Sequence, residues 1–306
     1  MTTVRNLHIS DARTVVDRIV RRLNDDARRQ PLVNPHLDEE LLYDTILQAT
    51  SATWVAQDER GVVGHLYAAV LADPVTSFNA WTGPDGASYD DEIILHQLVA
   101  LASESWRRAG ATHHYSWSLG DPDRTDPWRA LGYDARSVRG VMRIVKRDVR
   151  RLPTGAVLRL AERNDVERAL ELDHVIDLAQ GEPKATTRKD LRTTRRELLA
   201  LLEDPEVRHY VVEADGRVLA QAITFPLPAR RGSFDETLHL SEVVVDPSEQ
   251  GQGIASAMID EVLEQARRHG FRYVEAQWRV TNEQARSFWP RYGLTPTYVR
   301  LGRTLD

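Results

Sequence analysis

Residues 157–306 pass through the same landmarks, in the same order, as residues 1–147. A turn at Arg60-Gly61 between two β-rich runs answers one at Asp215-Gly216, and the helix-ending Gly110 answers Gly270. A short helix closed by Gly132 answers one closed by Gly293, and RNLHISDARTVVDRIVRRL opens the first half as LRLAERNDVERALELDHVIDLA opens the second. Landmarks repeated at a nearly constant offset point to duplication, not to two unrelated mixed domains. The second half reads β-α-α-β-β-β-α-β-α-β. We therefore expect an α/β chain of two tandem domains, each a mixed sheet flanked by helices. The domains are 1–147 and 157–306, joined at 148–156 (DVRRLPTGA), where Pro and Gly replace apolar residues.

Local signals place the elements. Asp215-Gly216 is a strong hairpin turn, and Asn164 is the expected N-cap of the first helix of the second half. TTRKDLRTTRRELLALLEDP gives a second helix, ended at Pro205. IILHQLVALA, at 93–102, reads as a buried helix face, because a membrane span needs roughly 20 apolar residues.

The net charge is −6 and hides no basic half: residues 1–150 hold 18 basic against 21 acidic side chains, and the rest hold 22 against 25. A nucleic-acid binder shows a basic surplus in at least one domain, so none is expected. Cysteine is absent, which removes disulfides, thiolate nucleophiles and cysteine metal sites together. The opening MTTVRNLHISDA has no apolar core behind a basic end, so no signal peptide, no membrane partner and a cytoplasmic location are expected. No metal constellation stands out among the histidines, and His113-His114 reads as structural.

The stretch VVVDPSEQGQGIASAM, 243–258, leaves a strand, turns, spends Gly251 and Gly253, and enters an apolar helix. The first N–H groups of a helix lack internal partners and carry the positive end of its dipole. Glycines let such N–H groups curl around a phosphate that a Cβ would keep away, and the Ser256 hydroxyl adds a donor. No Lys-Ser or Lys-Thr follows, so this is not the nucleotide P-loop, and a dinucleotide fingerprint lacks its third glycine. A tight packing turn is the plain alternative. The run Gln250-x-x-Gly253-x-Ala255, after SEVVVDP and before TNEQARSFW, resembles the acetyl-CoA motif of the GNAT N-acetyltransferase superfamily. The resemblance covers 157–306 and extends over 1–147 as a degenerate copy.

That resemblance implies two tandem GNAT-like domains, each with a splayed mixed sheet, and acetyl-CoA as co-substrate. The amides of Gln250, Gly251, Gln252, Gly253, Ile254 and Ala255 would hold the pyrophosphate. Val243, Val244 and Val245 would pair with the pantetheine arm. Asn282, in any case a plausible N-cap, would lie near that arm, and Arg286 would reach the adenosine phosphates. At the equivalent place the first half has Asp90-Asp91-Glu92, three carboxylates and no glycine, so the N-terminal copy is expected not to bind CoA.

Acyl transfer to an amine needs a base, oxyanion stabilisation and a way for the thiolate to leave. The backbone N–H of Val243 is the expected oxyanion donor. His239 stands where family members often carry a glutamate base, and it titrates near neutrality; a plain edge-strand histidine is the alternative. Unbroken alternation would set His239 on the face of Ser241, Val243 and Val245, with Glu242, the second candidate, opposite. The family's acid tyrosine is replaced by Trp289, which leaves Tyr292 as the candidate acid. For the acceptor, Arg230-Arg231 would suit an acidic molecule, and Asp173, Asp177 and Glu182 a cation. The expected function is N-acetyl transfer to a primary amine of a small molecule, by direct attack in a ternary complex. A mycothiol-synthase-like enzyme acting on a larger amine, and a CoA-sensing or partner-binding module without turnover, are the alternatives. A homodimer is left open.

Overall fold

The computed structural model describes residues 2–73, 77–180, 188–228 and 232–305, without side chains at 73, 77, 177–180 and 188–194. Arg230, Arg231 and Glu182, and the side chain of Asp177, lie outside the described residues.

The first half runs β1 (Thr3–Asn6), α1 (Ala12–Arg29), α2 (Glu39–Gln48), β2 (Thr53–Asp58), β3 (Gly61–Tyr67) and β4 (Ala69–Asp73). It continues β5 (Ser77–Thr82), β6 (Ala87–Tyr89), α3 (Glu92–Arg108), β7 (His113–Leu119), α4 (Pro122–Ala130) and β8 (Asp134–Arg143). The second runs β9 (Val157–Leu160), α5 (Val166–Gln180), α6 (Arg188–Glu203), β10 (Arg208–Ala214) and β11 (Arg217–Pro226). It ends β12 (Thr237–Val245), α7 (Ile254–Arg268), β13 (Tyr273–Arg279), α8 (Glu283–Tyr292) and β14 (Thr295–Thr304). The two series match element for element, except that β4, β5 and β6 stand where β12 alone stands in the second.

In space the residues group into two compact units. Unit 1 holds 1–139, 230–234 and 296–306; unit 2 holds 140–229 and 235–295. This grouping differs from a cut at 148–156, because the last strand of the chain groups with the first half. Within unit 1, β14 pairs antiparallel with β7, Leu301 opposite Ser116, and buries Tyr298 and Leu301 completely.

Unit 2 is a sheet in the order β9-β10-β11-β12-β13, antiparallel except for the parallel pair β12–β13. The β10–β11 turn places Asp215 at φ 51° and Gly216 at φ 75°, the two positive dihedrals that make Asp-Gly a tight hairpin. Asn164 is not the cap of α5. It sits inside a 3-10 turn at Arg163–Asp165 that precedes the helix, and Glu162 with Asp165 forms the capping box there. On one face of the sheet α5 and α6 bury Val166, Leu172 and Leu198 against Val211, Ile223 and Val244. On the other, α7 buries Ile254, Met258, Val262 and Leu263, each at most 2 % exposed.

Two irregularities of β12 matter. It runs nine residues, yet pairs with β13 only over Thr237–Leu240 against Tyr273–Ala276. Beyond Leu240 the central strands part, and a wedge opens along 241–245. In addition, the β11–β12 register slips between Ile223 and Thr224: Glu242 opposes Ile223 while Leu240 opposes Thr224, so Ser241 is an inserted bulge residue.

Candidate functional site

The bulge decides which side chains meet. Residues directly opposite on paired strands share a face, so Phe225, Ile223 and Gln221 share theirs with His239, Glu242 and Val244. The ring centroids of Phe225 and His239 lie 5.0 Å apart. This corrects the expected alternation: an extra residue at Ser241 brings Glu242 to the side of His239, and sends Val243 and Val245 to the α7 face. The shared face is the one covered by α5, where the Asp173 carboxylate accepts from the Gln221 amide at 2.8 Å. Gln221 in turn meets His209 Nε2 at 3.2 Å. Burial holds the His209 pKa below its ordinary value, although the Gln221 contact and the Glu242 charge pull it up.

His239 stands one rung from the apex of the wedge. Its Nδ1 lies 3.7 Å from Oε1 of Glu275, the residue opposite it on β13. Glu275 is fully buried.

Backbone geometry follows from the ladder. The Asp246 N–H donates to the Leu219 carbonyl at 2.8 Å. In an antiparallel pair, bonded and non-bonded residues alternate. Val244 and Asp246 therefore face β11, and Val243 and Val245 turn their N–H and C=O groups into the wedge. The Gln250 side-chain amide reaches the Val245 carbonyl there, at 3.2 Å.

At the mouth of the wedge the chain makes a 3-10 turn (Pro247–Glu249), passes Gly251 and Gly253 and enters α7. Both glycines have positive φ, 82° and 81°, and a Cβ on either would meet nothing within 4 Å. Conformation, not crowding, demands glycine here, and the space beside the turn is open. No side chain caps α7, and the first N–H with an intrahelical acceptor is that of Ala257, bonded to Gly253 O. The N–H groups of Ile254, Ala255 and Ser256 thus point outward at the positive end of the helix dipole. Asp246 anchors the turn: its carboxylate accepts from the Ser248 hydroxyl at 2.6 Å and N–H at 2.8 Å, and from Arg168 and Arg217. The Ser248 hydroxyl first, then the Arg168 and Arg217 guanidiniums, keep it well below the usual carboxylate range.

Wedge, turn and α8 enclose a cleft of about 390 Å³. Ten of the cofactor candidates line it: Val243, Val244 and Val245 on the strand, Gln250, Gly251 and Gly253 in the turn, Ile254, Ala255 and Ser256 on α7, and Asn282. Asn282 is also the cap of α8, accepting from the Ala285 N–H at 2.9 Å. Gln252 and Arg286 are not in the lining. The Gln252 amide donates to Glu249 at 2.9 Å, and the Arg286 guanidinium to the Val280 carbonyl at 3.5 Å. Val175 and Ile176 of α5 and Phe288 of α8 also line the cleft; amphipathic spacing alone does not separate such cleft positions from core. Trp289, 7 % exposed, forms part of the wall.

His239, Glu242 and Tyr292 are all absent from that lining; the first two stand on β12 towards the apex of the wedge, whereas Tyr292 is held elsewhere. The Tyr292 hydroxyl donates to Asp260 Oδ1 at 2.7 Å, beside Arg147 and Arg150, whose guanidiniums lie over its ring. Burial, then Asp260, raise its pKa well above the ordinary phenol value, so the structure does not bring this candidate acid to the cleft. In unit 1, the start of α3 is closed by Asp91, whose carboxylate accepts from the Ile94 N–H at 3.0 Å, while Asp90 pairs with Arg18 at 2.8 Å.

The model of the acetyltransferase (GNAT) family matches residues 172–294. The whole chain is similar in fold to a GCN5-related N-acetyltransferase from Sphaerobacter thermophilus, with TM-score 0.66, 16% identity, and 100% of this chain and 96% of that one covered. It is also similar to a tandem GNAT protein from the clavulanic acid biosynthesis pathway, with TM-score 0.60, 16% identity and 100% and 99% coverage. No curated protein matches the chain. Residues 172–294 thus match the GNAT family, and the chain as a whole has the fold of these proteins. Among the described residues no helix is long and apolar enough to cross a membrane.

Proposed function

We propose that the chain is an N-acetyltransferase that moves the acetyl group of acetyl-CoA to a primary amine of a small molecule. The observation that carries this reading is the wedge of β12 and β13, with free strand edges on Val243 and Val245, opening onto the uncapped turn at 250–256. In it the turn holds the pyrophosphate, the strand edge pairs with the pantetheine arm, and Asn282 lies beside that arm. Arg286, exposed at the start of α8, is assigned to the adenosine phosphates.

The thioester then lies at the apex, next to the bulge. A neutral amine attacks the carbonyl carbon, its N–C bond forms, and the oxyanion is met by the N–H of Val243. His239 takes the proton from the amine, with Glu242 beside it on the same face as the second candidate base. Glu275, fully buried, stands 3.7 Å behind Nδ1. The C–S bond breaks, and CoA departs as a thiolate. Thiols of this kind titrate near 8.5, so departure at neutral pH needs no enzymic acid, in keeping with Trp289 in the cleft and Tyr292 held by Asp260. With no cysteine in the chain, attack is direct within a ternary complex. Unit 1 is assigned no CoA, because Asp91 already caps the helix start that would bind it.

A second reading, a CoA-binding module without turnover, draws on the same Trp289. Thiol release from acetyl-CoA with a panel of small and larger primary amines separates the two. Turnover that falls at least tenfold in His239→Ala or Glu242→Gln, with CoA binding kept, supports the enzyme. Binding without release for any amine supports the module.

A further inference from the structure

Unit 1 contains a larger cavity than the cleft, about 640 Å³, walled by α3 from His96 to Arg107, the start of β8 and the end of β14. The start of α3, counterpart of the glycine turn, is not part of it, so this cavity is not the repeat of the CoA cleft. Its lining carries three guanidiniums, Arg107, Arg136 and Arg303, against one carboxylate, Asp134. Several other arginines of the unit are neutralised locally, Arg5 by Asp11, Arg18 by Asp90, and Arg29 by Asp121 and Asp123. Among the described residues neither Arg136 nor Arg303 forms an ion pair.

Arg303 is nevertheless fixed. It donates to the Leu131 carbonyl at 3.0 Å and to Ser103 Oγ at 3.1 Å, and its guanidinium lies 5.0 Å from the Tyr133 ring centre. Neutral partners on a positioned guanidinium leave its charge uncompensated while removing the entropy cost of ordering it. His96 adds a buried Nε2 with no hydrogen-bond partner among the described residues. A buried polar nitrogen without a partner is costly unless a ligand or water meets it.

We propose that this cavity is a second ligand site, taking a small phosphate-bearing molecule. Arg136 and Arg303, neither ion-paired among the described residues, put two guanidiniums in the lining, which suits a phosphomonoester, and the guanidinium fork fits phosphate oxygens in pairs. The volume exceeds an inorganic phosphate and falls in the range of roughly 300–1,000 Å³ typical of small-molecule sites, leaving room for an organic group.

The test uses the full chain carrying Gly253→Glu, so that the turn in unit 2 contributes no phosphate binding. Inorganic phosphate is titrated by calorimetry, with citrate as the carboxylate comparison and sodium chloride at equal ionic strength as reference. One saturable phosphate site, tighter than citrate and weakened about tenfold or more by Arg136→Gln, is the expected result. Arg136 is exposed and makes no hydrogen bond or ion pair among the described residues, so the fold is expected to survive its loss; Arg303→Gln, which gives up packing on Tyr133, is the supporting variant. Phosphate acting no better than chloride, citrate binding more tightly, or Arg136→Gln leaving the affinity unchanged overturns the proposal.

Discussion

Removing the Tyr292 hydroxyl separates structure from chemistry at a single atom. Asp260 is 1 % exposed and receives that hydroxyl, so Tyr292→Phe withdraws a bond from a buried carboxylate. The expected cost is about 1–3 kcal/mol in urea unfolding, with the rate of thiol release changed less than threefold. A large fall in rate without loss of stability would restore Tyr292 as the acid. His239→Ala is expected to do the opposite, slowing release at least tenfold with little change in stability. The sequence offered these residues as candidates without their directions. Period-two alternation sets His239 with Val243, and only pairing with β11, which inserts Ser241, reverses this. A bulge is a property of two strands together, and one strand's pattern does not carry it. Tyr292 misled for a similar reason: its partner, 32 residues away on α7, becomes visible only when the helices pack.

At the scale of elements, the account depends on which strand edge is open. Val243 and Val245 turn their N–H groups into the wedge while Val244 faces β11. Acetyl-CoA is thus expected to slow amide hydrogen exchange at Val243 and Val245 and to leave Val244, already bonded, nearly unchanged. Equal slowing at all three would point to general tightening of the fold, not to a paired pantetheine. The strand–turn–helix unit was legible because its causes are local: glycines at positive φ, an Asn with cap geometry at 282, apolar residues at helical spacing. Its opposite number in unit 1 was legible only as a charge pattern. Asp90-Asp91-Glu92 announced the closed helix start, but not that β4, β5 and β6 replace one long strand. The splay itself left no mark, since Val243 to Val245 read alike whether paired on one edge or two.

For the whole molecule, acid is expected to act through unit 1. His65 and His114 are fully buried there, and burial pushes each down to about 3. The unfolded chain, with histidine near 6.5, binds protons that the fold refuses. Stability from these groups is therefore complete above pH 6.5 and is lost as pH falls toward 3, by about 1.4 kcal/mol per pH unit for each. Melting temperature is expected to drop steadily from pH 7 to pH 5, and His114→Phe to flatten that slope; a slope untouched by this change would contradict it. Chain cutting has a less obvious consequence. A fragment ending at residue 147 lacks β14, which lies beside β7 within unit 1 and buries Tyr298 and Leu301 there. Such a fragment is expected not to fold cooperatively, although the repeat in the sequence marks 148–156 as the natural joint. Duplication was readable from glycines and turns, but the grouping of the last strand depends on pairing over a separation of more than 150 residues, beyond any local signal.

The central claim is that one of two copies binds the cofactor, through the turn at 250–256. Calorimetric titration of the full chain with acetyl-CoA tests it most directly. One site per chain, abolished by Gly253→Glu, is the expected result, with stabilisation of about 2.7 kcal/mol when ligand reaches 100 times its Kd. Two sites per chain would contradict the silent copy, and no binding would return the glycine turn to the role of a plain connection.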